Sequence, residues 1–301
     1  MVIWENILNR IKNKELYILI MPTIILFFVF LYIPMAGLIV GFRKYDVVSG
    51  LFGSEWVGLK YFKQFFNDPY FFRILRNTVV LNFNMLIFTF PAPIILALFI
   101  NEIRQKKVKR LFQSVSYLPH FIATVVIVGL MKEVLSGQGL VNQILEVFGI
   151  ERQLFFNDVN WFRPMYIGSS IWEGTGWAAI IYLAALTGIN PELYESASIE
   201  GANRWQKIRF ITIPGLLPTI IILLILRFGS IMSVGIEKVF LMYNPGTYET
   251  ADVITTYVYR RGILNMDYSY ATAVGIFNAV INFCLLLTAN KISKKSGNNL
   301  W

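Results

Sequence analysis

Three stretches of this chain, Leu16 to Val40, Thr78 to Ile100 and Leu111 to Met131, contain no Asp, Glu, Lys or Arg. Each reaches or exceeds the roughly 20 residues that an α-helix needs to cross the hydrocarbon core of a bilayer. A helix in lipid satisfies its own backbone hydrogen bonds, so helices rather than strands are expected for every long apolar run. Three further runs carry at most one charge: Met165 to Leu186 holds Glu173, Leu216 to Gly235 holds Arg227, and Ala271 to Ala289 holds none. The expectation is an all-α, polytopic membrane protein with six transmembrane helices. Charged residues make up only 15% of the chain, and no long polar block interrupts the pattern. The segments between spans reach about 36 residues, too few for a catalytic domain with its own core. Leu16 to Val40 is longer than a signal-peptide core and no A-x-A site follows it, so it is expected to remain as the first span.

A net charge of +9 would suggest nucleic acid as the partner of a soluble protein. In a membrane protein the placement of the charges matters more than their sum, and no nucleic-acid partner is expected. With the N-terminus cytoplasmic, the inside segments hold 14 Lys and Arg in 66 residues and the outside segments 12 in 105. The tight loop Asn101 to Arg110, "NEIRQKKVKR", carries most of that bias. Both termini are therefore expected in the cytoplasm, in a multi-pass protein of the cell membrane in contact with lipid. The single cysteine, Cys284, falls within the last span and reads as a small apolar filler.

The segment Asn190 to Pro214, "NPELYESASIEGANRWQKIRFITIP", sets acids, bases and a glycine between two apolar runs. Asn190 suits an N-cap and Pro191 the first helical position, so "PELYESASIE" should form a helix that Gly201 ends in a left-handed turn. A second helix is expected through "NRWQKIRFI" until Pro214 removes a backbone donor and begins the fifth span. Leu193, Ala197, Trp205 and Ile208 would supply an apolar side between the charges. A polar hairpin on the cytoplasmic face is a device another protein can grip.

The order Glu195-Ser196-Ala197, three residues, Gly201, nine residues, Ile211-Thr212-Ile213-Pro214 resembles the EAA loop of permease subunits of binding-protein-dependent ABC importers. Ser196 and Ile213 depart from the usual Ala and Leu by small or isosteric changes. "YLAALTGINPELYE", Tyr182 to Glu195, looks like that family's exit from the fourth span, and Glu200-Gly201-Ala202 stands where an acidic-Gly-Ala triplet is common. "YLPHFI", Tyr117 to Ile122, and "ADVITTYVYRRGI", Ala251 to Ile263, are similar to the LplB-type polysaccharide or oligosaccharide permeases.

The resemblance implies a MetI-like, MalF-type permease fold over residues 76–290, with the EAA loop at 190–214. Residues 1–75 would supply the N-terminal cytoplasmic segment, the first span and an extracellular loop, and 291–301 a cytoplasmic tail. It implies a heteromer with a second homologous permease, two cytoplasmic ABC ATPase subunits and an extracellular solute-binding lipoprotein. ATP and Mg would bind to the ATPase, with no cofactor in this chain. Glu195, Ala197, Gly201, Ala202, Arg204, Ile211 and Pro214 would form the contact that couples the ATPase to the spans, Glu195 as charged anchor and Gly201 as the tight turn. Without the full motif, the hairpin would read as a solvated loop whose acids face water; the motif favours the coupling reading.

Enzymatic readings have little to stand on. "LSGQG", Leu135 to Gly139, looks like an ABC signature, but no G-x-x-x-x-G-K-[ST] phosphate cradle accompanies it and the topology puts it outside. There is one histidine, His120, expected near mid-depth in the third span, and no H-E-x-x-H, G-x-S-x-G or paired Cys/His to hold a metal. No catalytic residue is expected.

Charges inside spans are costly and usually face the bundle interior or each other. Glu173 and Arg227 each lie eight residues from the outer end of their spans, roughly 12 Å deep at 1.5 Å per residue, and are placed to pair. Asn278 and Asn282 share one face of the last helix, and Asn82 and Asn84 enter from the outer end of the second. Trp172 and Trp177 flank "EGTG" and could stack on sugar rings, although interfacial or core tryptophan is the blander reading. Trp172, Glu173, Trp177, Arg227, Asn278 and Asn282 are thus the candidate substrate pathway, and the expected cargo is a carbohydrate, an oligosaccharide or polysaccharide fragment. A stand-alone channel or ion-coupled secondary transporter, or an importer of a non-sugar solute, are the alternatives. Ion-coupled carriers usually show more intramembrane carboxylates and internal repeats than the lone Glu173 seen here.

Overall fold

The structure is a computed structural model that describes residues 14–294. The first 13 residues and the tail from 295 onward, which include most of the expected N-terminal cytoplasmic segment and part of the 291–301 tail, lie outside the described residues. Helices dominate. Four are long and apolar enough to cross a membrane: α1 (Glu15–Phe42), α3 (Phe71–Glu102), α9 (Arg204–Phe228) and α12 (Tyr268–Lys294). A fifth span exists if the bent pair α4 (Lys106–Phe121) and α5 (Thr124–Val134) is taken as one.

Two of the six expected spans are not among these four helices, and the expected Leu216 to Gly235 span ends at Phe228. Leu111 to Met131 turns through 95° between α4 and α5. Its α-helix gives way to a 3-10 turn at Leu118–Phe121, and Ile122 and Ala123 are extended with ψ near 127° and 139°. Pro119, which lacks a backbone donor, sits in that turn, so the α ladder is weakened where the chain bends. His120 therefore lies at the bend and is exposed, in a bent helix pair and not in a straight span. Met165 to Leu186 does form one helix, α7 (Phe162–Thr187), of 26 residues. Its Ser169, Ser170, Glu173 and Thr175 keep it short of the apolar content of the other four.

The described residues divide into two compact units, 14–66 with 261–276 and 67–260 with 277–294. In the first, α1 runs with its most apolar window wholly uncovered. A two-stranded antiparallel ribbon follows, β1 (Arg43–Lys44) and β2 (Glu55–Trp56), in the register Arg43 to Trp56 and Lys44 to Glu55. Phe42 stacks on Trp56 and meets Phe62 of α2 (Lys60–Phe66). Tyr45 N–H donates to the Ser269 hydroxyl at 2.9 Å.

In the second unit α7 packs most extensively on the Pro91–Glu102 half of α3. Its two ends anchor two cores. Tyr182 and Leu186 join Ala97 and Leu216 at one end. At the other, Phe162, Met165 and Tyr166 join Leu81, Val128, Val239 of α10 (Ile236–Met242) and Val253. Midway, a side chain at Gly176 would collide with the Ser116 carbonyl oxygen, so α4 and α7 touch backbone to backbone.

Candidate functional site

The polar hairpin folds as two helices with well-defined ends. Asn190 accepts a hydrogen bond from Glu192 N–H at 3.0 Å and Pro191 occupies the first turn of α8 (Pro191–Ile199). Gly201 adopts φ +81°, and the N–H groups of Glu200, Gly201 and Ala202 close on the carbonyls of Ser196, Ser198 and Ala197. Glycine takes this left-handed conformation without steric cost. Asn203 and Gln206 then form a reciprocal capping box that starts α9.

Pro214 does not end a helix. The chain continues from Arg204 to Phe228 through a π-helical turn at Ile208–Thr212. The wider turn immediately ahead of Pro214 lets the helix accommodate a residue with no N–H to give. Thr212, the buried residue of that turn, binds the Tyr194 hydroxyl at 3.0 Å, and Lys207 Nζ donates to Ser198 Oγ at 2.6 Å. These two bonds fasten α8 to the start of α9, the helix that enters the apolar core at Leu216.

The outer face of the hairpin is open. Glu195 and Arg204 are exposed, as is Pro214, while Ala197, Ala202 and Ile211 are half-buried. The expected apolar side is split: Ala197 and Ile208 turn partly inward, whereas Leu193 and Trp205 are uncovered together with Ile199 and Phe210, the last two not anticipated from the sequence. The bonds by which Tyr194, Ser198, Lys207 and Thr212 lock the hairpin have no local signal in the sequence either.

The six candidate pathway residues do not form one cluster. Glu173 pairs with Lys238 at 2.8 Å, not with Arg227. The expected pair failed because the irregular segment after Phe228 returns α10 toward α7, which puts a second cation closer. Lys238 is 7% exposed, also donates to Ser170 at 3.1 Å, and stands over the Tyr166 ring. Arg227 makes no ion pair among the described residues and lines a cavity of about 400 Å³ with Thr89, Tyr182 and Ser230. Trp177 stacks on His120 with ring centroids 4.7 Å apart. Trp172 lines a separate, largely apolar groove beside Ile127 and Met131. Asn282 accepts from Met232 N–H and donates to Ser233, so it holds the irregular segment in place. The Asn278 Oδ1 atom is buried with no hydrogen-bond partner.

A further polar assembly was not expected. Asp252 is fully buried and takes Arg260 at 2.6 Å, Arg73 at 3.3 Å and the Thr256 hydroxyl at 2.8 Å. Asn77, also fully buried, donates to the carbonyls of Glu249 and Asp252 and accepts from Arg163 at 3.0 Å. Burial acts against the Arg260 charge, but its hydrogen bonds with Asp252 and Tyr243 outweigh it and raise its pKa further above the ordinary range.

A model of the binding-protein-dependent transport system inner membrane component family matches residues 89–296, which contain the whole hairpin. The chain belongs to this family. Protein LplB of Bacillus subtilis (strain 168) is 43% identical over 293 residues, covering 97% of this chain and 92% of the relative. The polygalacturonan/rhamnogalacturonan transport system permease protein YteP of the same organism is 42% identical, covering 97% and 91%. A chain in the crystal structure of a bacterial alginate ABC transporter in complex with alginate pentasaccharide-bound periplasmic protein is 44% identical, with a TM-score of 0.89 and 98% of both chains covered. Members of this family are membrane transport components and not catalytic subunits.

Proposed function

We propose that this chain is one permease subunit of an ABC importer and that it carries a carbohydrate of oligosaccharide or polysaccharide-fragment size. Relatives that match nearly its whole length are named for polygalacturonan/rhamnogalacturonan and alginate transport, and a more distant one for arabinooligosaccharides. On this reading α7 and the bent pair α4–α5 each count as a span, giving six, with both termini and the hairpin cytoplasmic. A second permease, two ATPase subunits that bind ATP and Mg, and an extracellular binding lipoprotein complete the machine.

The observation that carries the reading is the two-sided construction of the hairpin. Its inner side is fastened to α9 through Tyr194–Thr212 and Lys207–Ser198, while Glu195, Ile199 and Trp205 face outward with nothing upon them. A groove in the ATPase that holds α8, with Glu195 as the charged contact and Gly201 as the turn, moves α9 as one body with α8. Closure of the ATPase pair on nucleotide then biases which side of the membrane is open. Trp172, Glu173, Trp177, Arg227, Asn278 and Asn282 line or support the route of the sugar, Glu173 through Lys238 and Asn282 through the segment after Phe228.

The test is mass spectrometry of what co-purifies stoichiometrically with the tagged chain from its native membrane in mild detergent. An ATPase and a second permease are expected. Recovery of this chain alone, still transporting without ATP, overturns the importer and favours a channel or carrier.

A further inference from the structure

The helix α4 is turned inside out relative to a soluble amphipathic helix. Between Leu111 and Leu118 the half-buried residues are Gln113, Ser116 and Tyr117, and Ser116 meets Gly176 of α7; nearer the start of the helix Val108 and Lys109 are also half-buried. Leu111, Phe112, Val115, Leu118 and Phe121 are 53–70% exposed. In water the apolar stripe of such a helix faces the protein; here the polar stripe does, and the uncovered apolar face suits acyl chains.

At the N-terminal end of α4 and just ahead of it, five cations fall within seven residues: Arg104, Lys106, Lys107, Lys109 and Arg110. None has an ion-pair partner among the described residues. No acid occupies the first turn of the helix, and cations there oppose its macrodipole, so the cluster does not serve helix stability. A bias that only sets membrane orientation would need basic residues in the loop. It would not need them to continue into a helix whose outer face is apolar.

We infer that α4 is a seat for anionic phospholipid, its apolar face against the acyl chains and its basic end on the headgroup phosphates. Clusters of four to eight basic residues beside a membrane helix bind anionic lipid in this way, at about a fivefold gain per residue when each contributes about 1 kcal/mol. The site is independent of the hairpin and of the cargo.

The experiment reads bound lipid directly. The complete transporter is reconstituted in nanodiscs of mixed phosphatidylcholine and phosphatidylglycerol, extracted in mild detergent, and the lipid it retains is measured by native mass spectrometry. Enrichment of phosphatidylglycerol over phosphatidylcholine is expected, falling with added salt and lost in the variant K106Q/K107Q/K109Q/R110Q. Equal retention of both lipids, or enrichment unchanged in the variant, overturns the proposal. A photoreactive residue in place of Leu118 gives a readout in a chain that keeps every basic residue. Cross-links to lipid support the seat, and cross-links to a protein partner instead overturn it. Because no step measures transport or ATPase, failure here leaves the importer reading untouched, and failure of that reading leaves this one testable.

Discussion

Two polar regions of the second unit are built to opposite plans. The Asp252 assembly is closed at its centre: a fully buried carboxylate takes two guanidinium groups and a hydroxyl, and the Asn77 amide donates to the Asp252 carbonyl, so the acid itself is not offered outward. The hairpin at 190–214 is half closed. Its inner bonds are made, but the acids of α8 are exposed and form no ion pair among the described residues. A polar group that is satisfied inside the fold contributes stability; one held rigidly and left open is available to a partner. Substitutions should therefore separate the two regions by what they damage.

The largest loss of stability is expected at Asp252→Asn. It leaves Arg73 and Arg260 facing each other with no counter-charge, and breaking a buried ion pair from one side costs about 3 kcal/mol or more. The low end applies because both arginine side chains retain some solvent, 34% and 23% exposed. Thermal unfolding of the purified protein in lipid should show a large drop. A melting temperature within a degree or two of the parent, roughly the shift expected from a few tenths of a kcal/mol, would mean the network is not closed.

Glu173→Gln comes next, at about 1–2 kcal/mol, since it leaves Lys238 nearly buried with only a neutral acceptor. The double change Glu173→Gln with Lys238→Gln sharpens the role of the pair. Recovery of both stability and uptake marks a structural tie between α7 and α10. Recovery of stability alone, with uptake still low, places Glu173 on the cargo route.

How much of this was legible follows the length scale of the signals. The charge-free runs revealed helices because each needs only its own composition, and the capping signals at Asn190, Pro191 and Gly201 revealed the hairpin because they act over a few residues. The partner of Glu173 was not legible. Lys238 is 65 residues away, and a basic residue just past a span reads as loop charge until the chain is seen to fold back. Asp252 was quoted only as part of a familiar string, since nothing local says that Arg73 and Arg260 converge on it. The bend at Pro119 had a local signal, but proline is tolerated in many membrane helices, so its effect was undetermined.

Gly201→Val tests the turn itself. A β-branched residue at φ +81° costs about 1–2 kcal/mol locally, and the hairpin should loosen, with weaker ATPase co-purification. Gly201→Asn, which tolerates the left-handed region, should retain more of it. Equal ATPase association in parent and valine variant would remove the turn from the coupling scheme.

Glu195→Ala should move stability least, by less than about 0.5 kcal/mol, as expected of an exposed residue with no partner. On the open half of the hairpin that small number makes the residue diagnostic. A fold that melts as before, contains all its helices and yet no longer retains the ATPase or takes up sugar has lost a contact and not a structure. No substitution in the Asp252 assembly can produce that combination, since there the fold fails together with the function. If Glu195→Ala leaves both ATPase association and uptake intact, the exposed acids of α8 face only water, and the open plan of the hairpin requires a different occupant.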